Sequence, residues 1–303
     1  MPEPALSVGI PFRDPGPYLE RAVRSVFAQS FTDWELILLD DGSTDGALAF
    51  ARSLRDRRVR VVSDGEHHGL ARRLNQIAMM AVAPCLARMD ADDLMHPERL
   101  AVQSGVLRAC TEATVVGTYA YAIDAQDRPT GFKRTVPRRG YEAKRSFLHP
   151  SVMAPTRWFR DHPYSEDPAF HRCEDAELWT RVAATTPFAV CDRALLYYRE
   201  VGVFSFARYR ATQAGVAELV RRRFTEPWLT AQARLLVLHA KTWGVGGLCA
   251  FGAADWWTRS RSEALSAAQR GAAEAGLEQI RATAIPRDAG PPPAAAGPGT
   301  VVA

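Results

Sequence analysis

The sequence predicts an α/β protein, a mixed sheet flanked by helices, with a helical extension toward its C-terminal end. Three observations carry this. Short apolar runs alternate with helix-periodic stretches over residues 1–100, the pattern of strands joined by crossover helices. Aspartates cluster directly after two of those runs, where strands of such a sheet open into loops. Beyond residue 207 the strand-like runs stop, and a sequence rich in Ala, Arg, Leu and Glu follows.

The elements can be taken in order. Residues 5–10 form an apolar run ended by Pro11, and residues 34–39 another ended by Asp40-Asp41-Gly42. Between them Leu19, Ala22, Val23, Val26 and Phe27 share one helical face. The unit repeats, with a helix over 46–54, a strand over 59–62, a helix striped by Leu70, Leu74, Ile77, Ala78 and Ala81, and a strand at Cys85-Leu86-Ala87. Parallel pairing would bring the ends of Ile10, Leu39 and Met89 to one cleft, so Asp41 and Asp92, about fifty residues apart, would share it.

After Arg99 the elements become mixed. Strands are expected at 114–118, 188–190 and 195–198, a turn at Asp127-Arg128-Pro129, basic loops through Lys144, and a helix over 174–184. The division that follows is a domain of residues 1–207 in two halves, 1–100 and 101–207. A helical extension over 208–285 and a disordered Pro/Ala/Gly tail over 286–303 complete it.

A chain of 303 residues with 47% hydrophobic content can bury a sizeable core. Its 38 basic and 34 acidic residues are too nearly balanced for nucleic acid to be the main partner; the small excess suits an anionic ligand or an acidic membrane surface. Five scattered cysteines without CxxC spacing read as reduced thiols of a cytoplasmic protein, not a disulfide frame or zinc site. Met-Pro-Glu-Pro runs straight into a strand-like segment, which predicts no secretory signal. The stretch nearest to a membrane span, residues 243–257, is short, glycine-rich and broken by Asp255.

Chemistry concentrates in Met89-Asp90-Ala91-Asp92-Asp93. Carboxylates this close raise one another's proton affinity, and a hard divalent ion such as Mg²⁺ or Mn²⁺ relieves them while holding phosphate oxygens. An Asp-rich turn capping the helix that starts near His96-Pro97-Glu98-Arg99-Leu100 is the plainer alternative.

Several separate stretches decide between them: Ser7-Val8-Gly9-Ile10-Pro11; Ser25-Val26-Phe27-Ala28-Gln29-Ser30-Phe31 with Asp33-Trp34-Glu35; Asp40-Asp41-Gly42-Ser43-Thr44-Asp45; Gly69-Leu70 with Leu74-Asn75; Arg88 through Asp93 with Pro97-Glu98-Arg99-Leu100 and Gln103; His149-Pro150-Ser151-Val152-Met153; Glu174-Asp175 with Leu178-Trp179 and Arg181; and Tyr198-Arg199. In order and spacing, residues 6 to about 205 resemble a family 2 glycosyltransferase of the GT-A fold, a Rossmann-like nucleotide-diphospho-sugar transferase arrangement. The resemblance implies a nucleotide-sugar donor, a divalent metal (Mn²⁺ or Mg²⁺) and inversion at the anomeric carbon.

It also implies roles. Asp92, with Asp90, would hold the metal in an Asp90-Ala91-Asp92 DXD motif. Asp41 would accept a hydrogen bond from a pyrimidine base, with Pro11 and Arg13 lining the same pocket, Gly69 nearby, and Arg72 or Arg73 reaching phosphate. An acceptor hydroxyl must lose a proton as it attacks, so a carboxylate facing away from the diphosphate is required; Asp175, its proton affinity raised by Glu174, is the candidate base. Asp93, His149, Glu174 and Trp179 are expected to touch the sugar or acceptor, whereas His67 and His68 read as idle loop histidines. The donor expected first is a UDP-sugar, then dTDP or GDP, and the acceptor a glycan or lipid-linked hydroxyl of surface polysaccharide synthesis.

Three departures bear on this. Arg13-Asp14 stands where relatives often have Asn, Val201 where a metal-completing His often follows the Tyr-Arg pair, and residues 164–170 replace a common Gly-Gly-Tyr turn. They motivate an alternative, a catalytically silent nucleotide-sugar-binding scaffold, which gives Asp175 no purpose. A sugar-phosphate nucleotidyltransferase would need a Gly-rich basic loop in place of Ile10-Pro11-Phe12-Arg13-Asp14. Arg221-Arg222-Arg223 and Trp256-Trp257 raise a peripheral membrane contact beside ordinary aromatic packing.

Overall fold

The computed structural model describes residues 3–110, 113–134, 147–200, 205–223, 228–250 and 262–288. Val201, the Trp256-Trp257 pair, the basic loop over 135–146 and the tail from 289 lie outside the described residues. The first half is the predicted alternation: β1 (Leu6–Phe12), α1 (Tyr18–Phe27), β2 (Trp34–Asp40), α2 (Ala47–Ser53), β3 (Val59–Val62), α3 (Leu70–Met80) and β4 (Cys85–Arg88). β1 pairs in parallel with both β2 and β4, and β2 with β3. β1 is buried at every position, and β2 at all but one, as strands covered on both faces must be.

Pro11 does not end β1, contrary to the sequence reading. Gly9 turns its carbonyl to the β4 side, where it accepts from Met89, and β4 pairing stops at that residue. Two residues on, Pro11 faces the same side past the end of the ladder, so its missing N–H breaks no pair.

The second half supplies β5 (Leu94–Met95), α4 (Arg99–Ala109), β6 (Val115–Ile123), β7 (Pro129–Lys133), β8 (Met153–Pro155), α5 (Thr156–Asp161), α6 (Glu174–Val182) and β9 (Phe188–Arg199). The strand order is β3-β2-β1-β4-β8-β6-β9-β5, with β7 hairpinned on β6. β8 runs antiparallel to β4 and to β6, which makes the sheet mixed. The two strands expected at 188–190 and 195–198 are one: opposite Thr118 and Tyr119 the register jumps from Cys191 to Ala194, and the exposed Asp192 and Arg193 bulge out.

Among the described residues the helical extension is α7 (Phe206–Arg223), α8 (Trp228–Ala250) and α9 (Ala267–Ala282). α7 and α8 pack on Phe170, Cys173 and Ala176. α9, started by a Ser266/Gln269 capping box, packs on strands β5, β6 and β9, where Ala273, Leu277 and Ile280 join Leu94, Tyr121, Ile123 and Tyr197 in a separate core. Residues 286–288, placed by sequence in a disordered tail, are held: Arg55 N–H donates to Pro286 O at 2.8 Å and Asp288 N–H to Ser53 O at 2.9 Å. Backbone pairing to α2, which composition does not encode, orders them.

Candidate functional site

Parallel register sets the ends of β1, β2 and β4 side by side, since Phe12 pairs with Asp40 and Gly9 with Arg88. One residue beyond β2, Asp41 is buried in a dense set of donors. His68 N–H reaches it at 2.7 Å, Gly69 N–H at 3.1 Å, Arg73 Nε at 2.9 Å and His67 Nδ1 at 2.8 Å. Burial would raise its pKa, but these bonds, led by His68 and Arg73, hold it below the usual carboxylate value.

Arg13 Nη1 lies 2.8 Å from His67 Nε2. Guanidinium can only donate, so in this contact Nε2 accepts and Nδ1–H donates to Asp41, which sets the ring's orientation. Asp41 is therefore not an open acceptor for a base, as the sequence suggested. What faces outward beside it is the Arg13 guanidinium and the edge of the His67 ring, both about half exposed. Pro11 is buried within β1. Arg73 is 1% exposed, tied to Asp41, Asp64 and Gln76, and cannot reach a ligand phosphate; Arg72, exposed one residue earlier, can.

The loop after β4 carries the acidic run. Oxygens of Asp90, Asp92 and Asp93 lie within 4.8 Å of one another. Arg88, buried beneath, grips both Asp90 oxygens at 2.5 and 2.9 Å. Asp93 is 1% exposed; one oxygen accepts from Arg199 N–H at 2.8 Å, and the other is buried without a hydrogen-bond partner. It cannot lie against a sugar, a correction to the sequence expectation, because the next residue, Leu94, pairs with β9 and pulls it inward.

Burial, then the neighbouring Asp90, raises the Asp92 pKa to about 6; burial, then Asp92 and Asp90, raises that of Asp93 well above its ordinary value. An orphaned buried carboxylate oxygen beside two raised or half-buried carboxylates is a donor set that a hard divalent cation fits. Ala91 between them is buried and supplies spacing rather than a contact.

Arg199 fixes this loop. Its Nε donates to Asp92 O at 2.5 Å and its Nη1 to Asp124 O at 2.7 Å, Asp127 lies 2.6 Å from Nη2, and Tyr18 stacks at 4.4 Å. The Tyr198-Arg199 pair was visible in the sequence, but nothing there says that it holds the aspartate loop.

An open cleft of about 570 Å³ is lined by Asp90 of the acidic run together with His149, Glu174 and Asp175, and its lining also includes Gly69, Arg72, Arg88 and Tyr198. Asp175, half-buried in the first turn of α6, accepts from Ala176 N–H at 2.7 Å. Burial, then Glu174, lifts its pKa to about 6. His149 begins a short 3-10 turn with its Nε2 2.9 Å from the Tyr164 hydroxyl; burial and then Arg88 depress its pKa and keep it neutral. Trp179, expected at the acceptor, is fully buried instead, stacked on Trp158 and edge-on to His149. It lies one turn further along α6 than Asp175, where the helix runs into the core and Trp179 packs with Leu178 and Val182.

The profile of the glycosyl transferase family 2 matches residues 7–166, more than half of the chain. The chain is 33% identical over 169 residues to the glycosyltransferase EpsE of Bacillus subtilis (strain 168), covering 54% of this chain and 61% of EpsE. It is 32% identical over 129 residues to TuaG of the same organism, described as a glycosyltransferase of teichuronic acid biosynthesis, covering 41% and 50%. Thus it spans less than two thirds of either relative. S. aureus TarS 1-349 in complex with UDP-GlcNAc shares the fold with a TM-score of 0.56 at 19% identity, covering 77% of this chain and 72% of that one. The mannosyltransferase PcManGT of Pyrobaculum calidifontis, in complex with GDP-Man and Mn²⁺, does so at 0.53 and 17%, covering 93% and 87%. With the mixed sheet, the strand-end cleft and the acidic loop in place, the chain belongs to glycosyl transferase family 2 and has the GT-A fold.

Proposed function

We propose that the chain is a metal-dependent, inverting glycosyltransferase that moves a sugar from a nucleoside diphosphate to a hydroxyl of a glycan or lipid-linked acceptor in surface polysaccharide synthesis. One observation carries this reading. A single cleft is lined both by Asp90 of the acidic run and by Asp175, a carboxylate whose pKa is raised to about 6.

Asp92 and Asp90 would hold the ion, with the unpartnered Asp93 oxygen behind them. When bound, a divalent cation offsets the charge that grows on the departing diphosphate. The chain's own groups do the rest. Arg88 and Arg199 keep the acidic loop in place, Arg72 meets phosphate at the cleft wall, and Arg13 presents donors to the carbonyl edge of a base beside the His67 ring. Asp175 takes the proton of the attacking hydroxyl, and Glu174 and burial give it the proton affinity to do so. Neutral His149 orients the acceptor or diphosphate oxygens. The relatives support a UDP-sugar first, with GDP next, and five cysteines outside any disulfide agree with a reducing, cytoplasmic setting.

Calorimetric titration of UDP, dTDP and GDP, with Mn²⁺ and then with chelator, on the native chain and on Asp92→Asn, tests this. Metal-dependent binding of one nucleotide, lost in the variant, is expected. No binding of any nucleotide under either condition would overturn the proposal.

A further inference from the structure

The helix α8 turns an apolar face to solvent. Leu229, Leu236, Val237 and Trp243 are 74, 71, 66 and 81% exposed. Leu229, Leu236 and Trp243 recur every seven residues, so they lie within about 40° of one another around the helix, with Ala233 and Ala240 filling the same strip. The opposite side, Leu235, Leu238 and Val245, is buried. The exposure is therefore a second apolar face on a helix whose first face is already used.

Charge says what this face suits. α8 contains no Asp or Glu, and carries Arg234 and Lys241. Residues 206–250 hold seven of the chain's 38 basic residues and only two of its 34 acidic ones, leaving the remainder within one charge of neutral. No described helix is long and apolar enough to cross a bilayer. We infer that α8 lies on an anionic lipid surface, its Leu229/Leu236/Trp243 strip in the headgroup boundary and the basic residues of the α7–α8 hairpin against lipid phosphates. A second copy is disfavoured as occupant, because it would bring two positively charged hairpins together.

The hairpin is joined to the cleft. Gly215 of α7 sits so close to the turn before α6 that a side chain there would meet Cys173 Sγ at 2.5 Å. Arg222 pairs with Asp167 at 2.8 Å, and Asp167, Pro168 and Phe170 line the cleft on the side of Asp175. Lipid binding would thus hold the acceptor wall near the bilayer. That consequence rests on the proposed glycosyl transfer, but lipid binding itself does not.

The full chain is sedimented with vesicles of phosphatidylcholine alone and of phosphatidylcholine with about one third phosphatidylglycerol, at low and high salt. The partner sample is Leu236→Gln/Trp243→Gln, checked by circular dichroism and by UDP titration. Expected are partition to the anionic vesicles that weakens with salt, at least a tenfold drop in the variant, and unchanged nucleotide binding. Equal partition of variant and native chain, no preference for anionic vesicles, or no binding to either would overturn the inference. So would a concentration-dependent dimer that the substitutions abolish.

Discussion

Asp175 and Asp92 have pKa values raised to about 6 by the same cause, burial, but a different task follows for each. As a base, Asp175 works only without its proton, so turnover should rise with pH through about 6 and level above it. Asp175→Asn should lower kcat by roughly 10²–10⁴-fold while leaving UDP affinity within about twofold, read from steady-state kinetics and calorimetry. For stability the sign is set by the unfolded chain, whose aspartates lose protons near 3.8. Between there and about 6 the folded chain binds more protons, so stability of the metal-free protein falls as pH rises across that window. Thermal melts at pH 4.5 and 7 should show this, and Mn²⁺ should raise the melting temperature more at pH 7, where the carboxylates are ionised. An equal Mn²⁺ effect at both pH values would contradict the cation site.

At the scale of elements, β9 does two jobs with residues two positions apart. Tyr197 donates its hydroxyl to Ala273 O of α9 at 2.9 Å, and Arg199 clamps the loop that bears Asp90, Asp92 and Asp93. Arg199→Lys keeps the charge but loses the fork, so the Mn²⁺ concentration for half-maximal UDP binding should rise about tenfold with little change in the far-ultraviolet spectrum. Leu277→Ala should cost about 2–5 kcal/mol in urea unfolding, since Leu277 is 1% exposed in the α9 core. Periodicity made the β1 to β4 half legible, because each strand there is a continuous apolar run and each helix has one stripe. It failed at β5, two residues long, and at the β9 bulge, where the charged Asp192 and Arg193 look like a loop. In the site, the carboxylates were legible as a motif. Their partners were not, since Arg73 beneath Asp41 and Arg199 beneath Asp92 are long-range contacts with no local pattern.

For the whole molecule, the C-terminal segment is split between two places. The α7–α8 hairpin covers the cleft wall, while α9 and residues 286–288 lie on α1, α2, β5 and β9. A chain ending at residue 207 should therefore leave Leu94, Tyr121, Ile123 and Tyr197 uncovered and fail to give a single cooperative urea transition, whereas the full chain should give one. The same arrangement has a bearing on synthesis. Ile123 leaves the ribosome long before Ile280, which covers it; at about 5–20 residues per second the interval is roughly ten to thirty seconds. Throughout translation of the second half, the nascent protein carries a finished strand-and-helix unit with a greasy, unroofed flank, which makes it a client for holding chaperones until its last helix emerges.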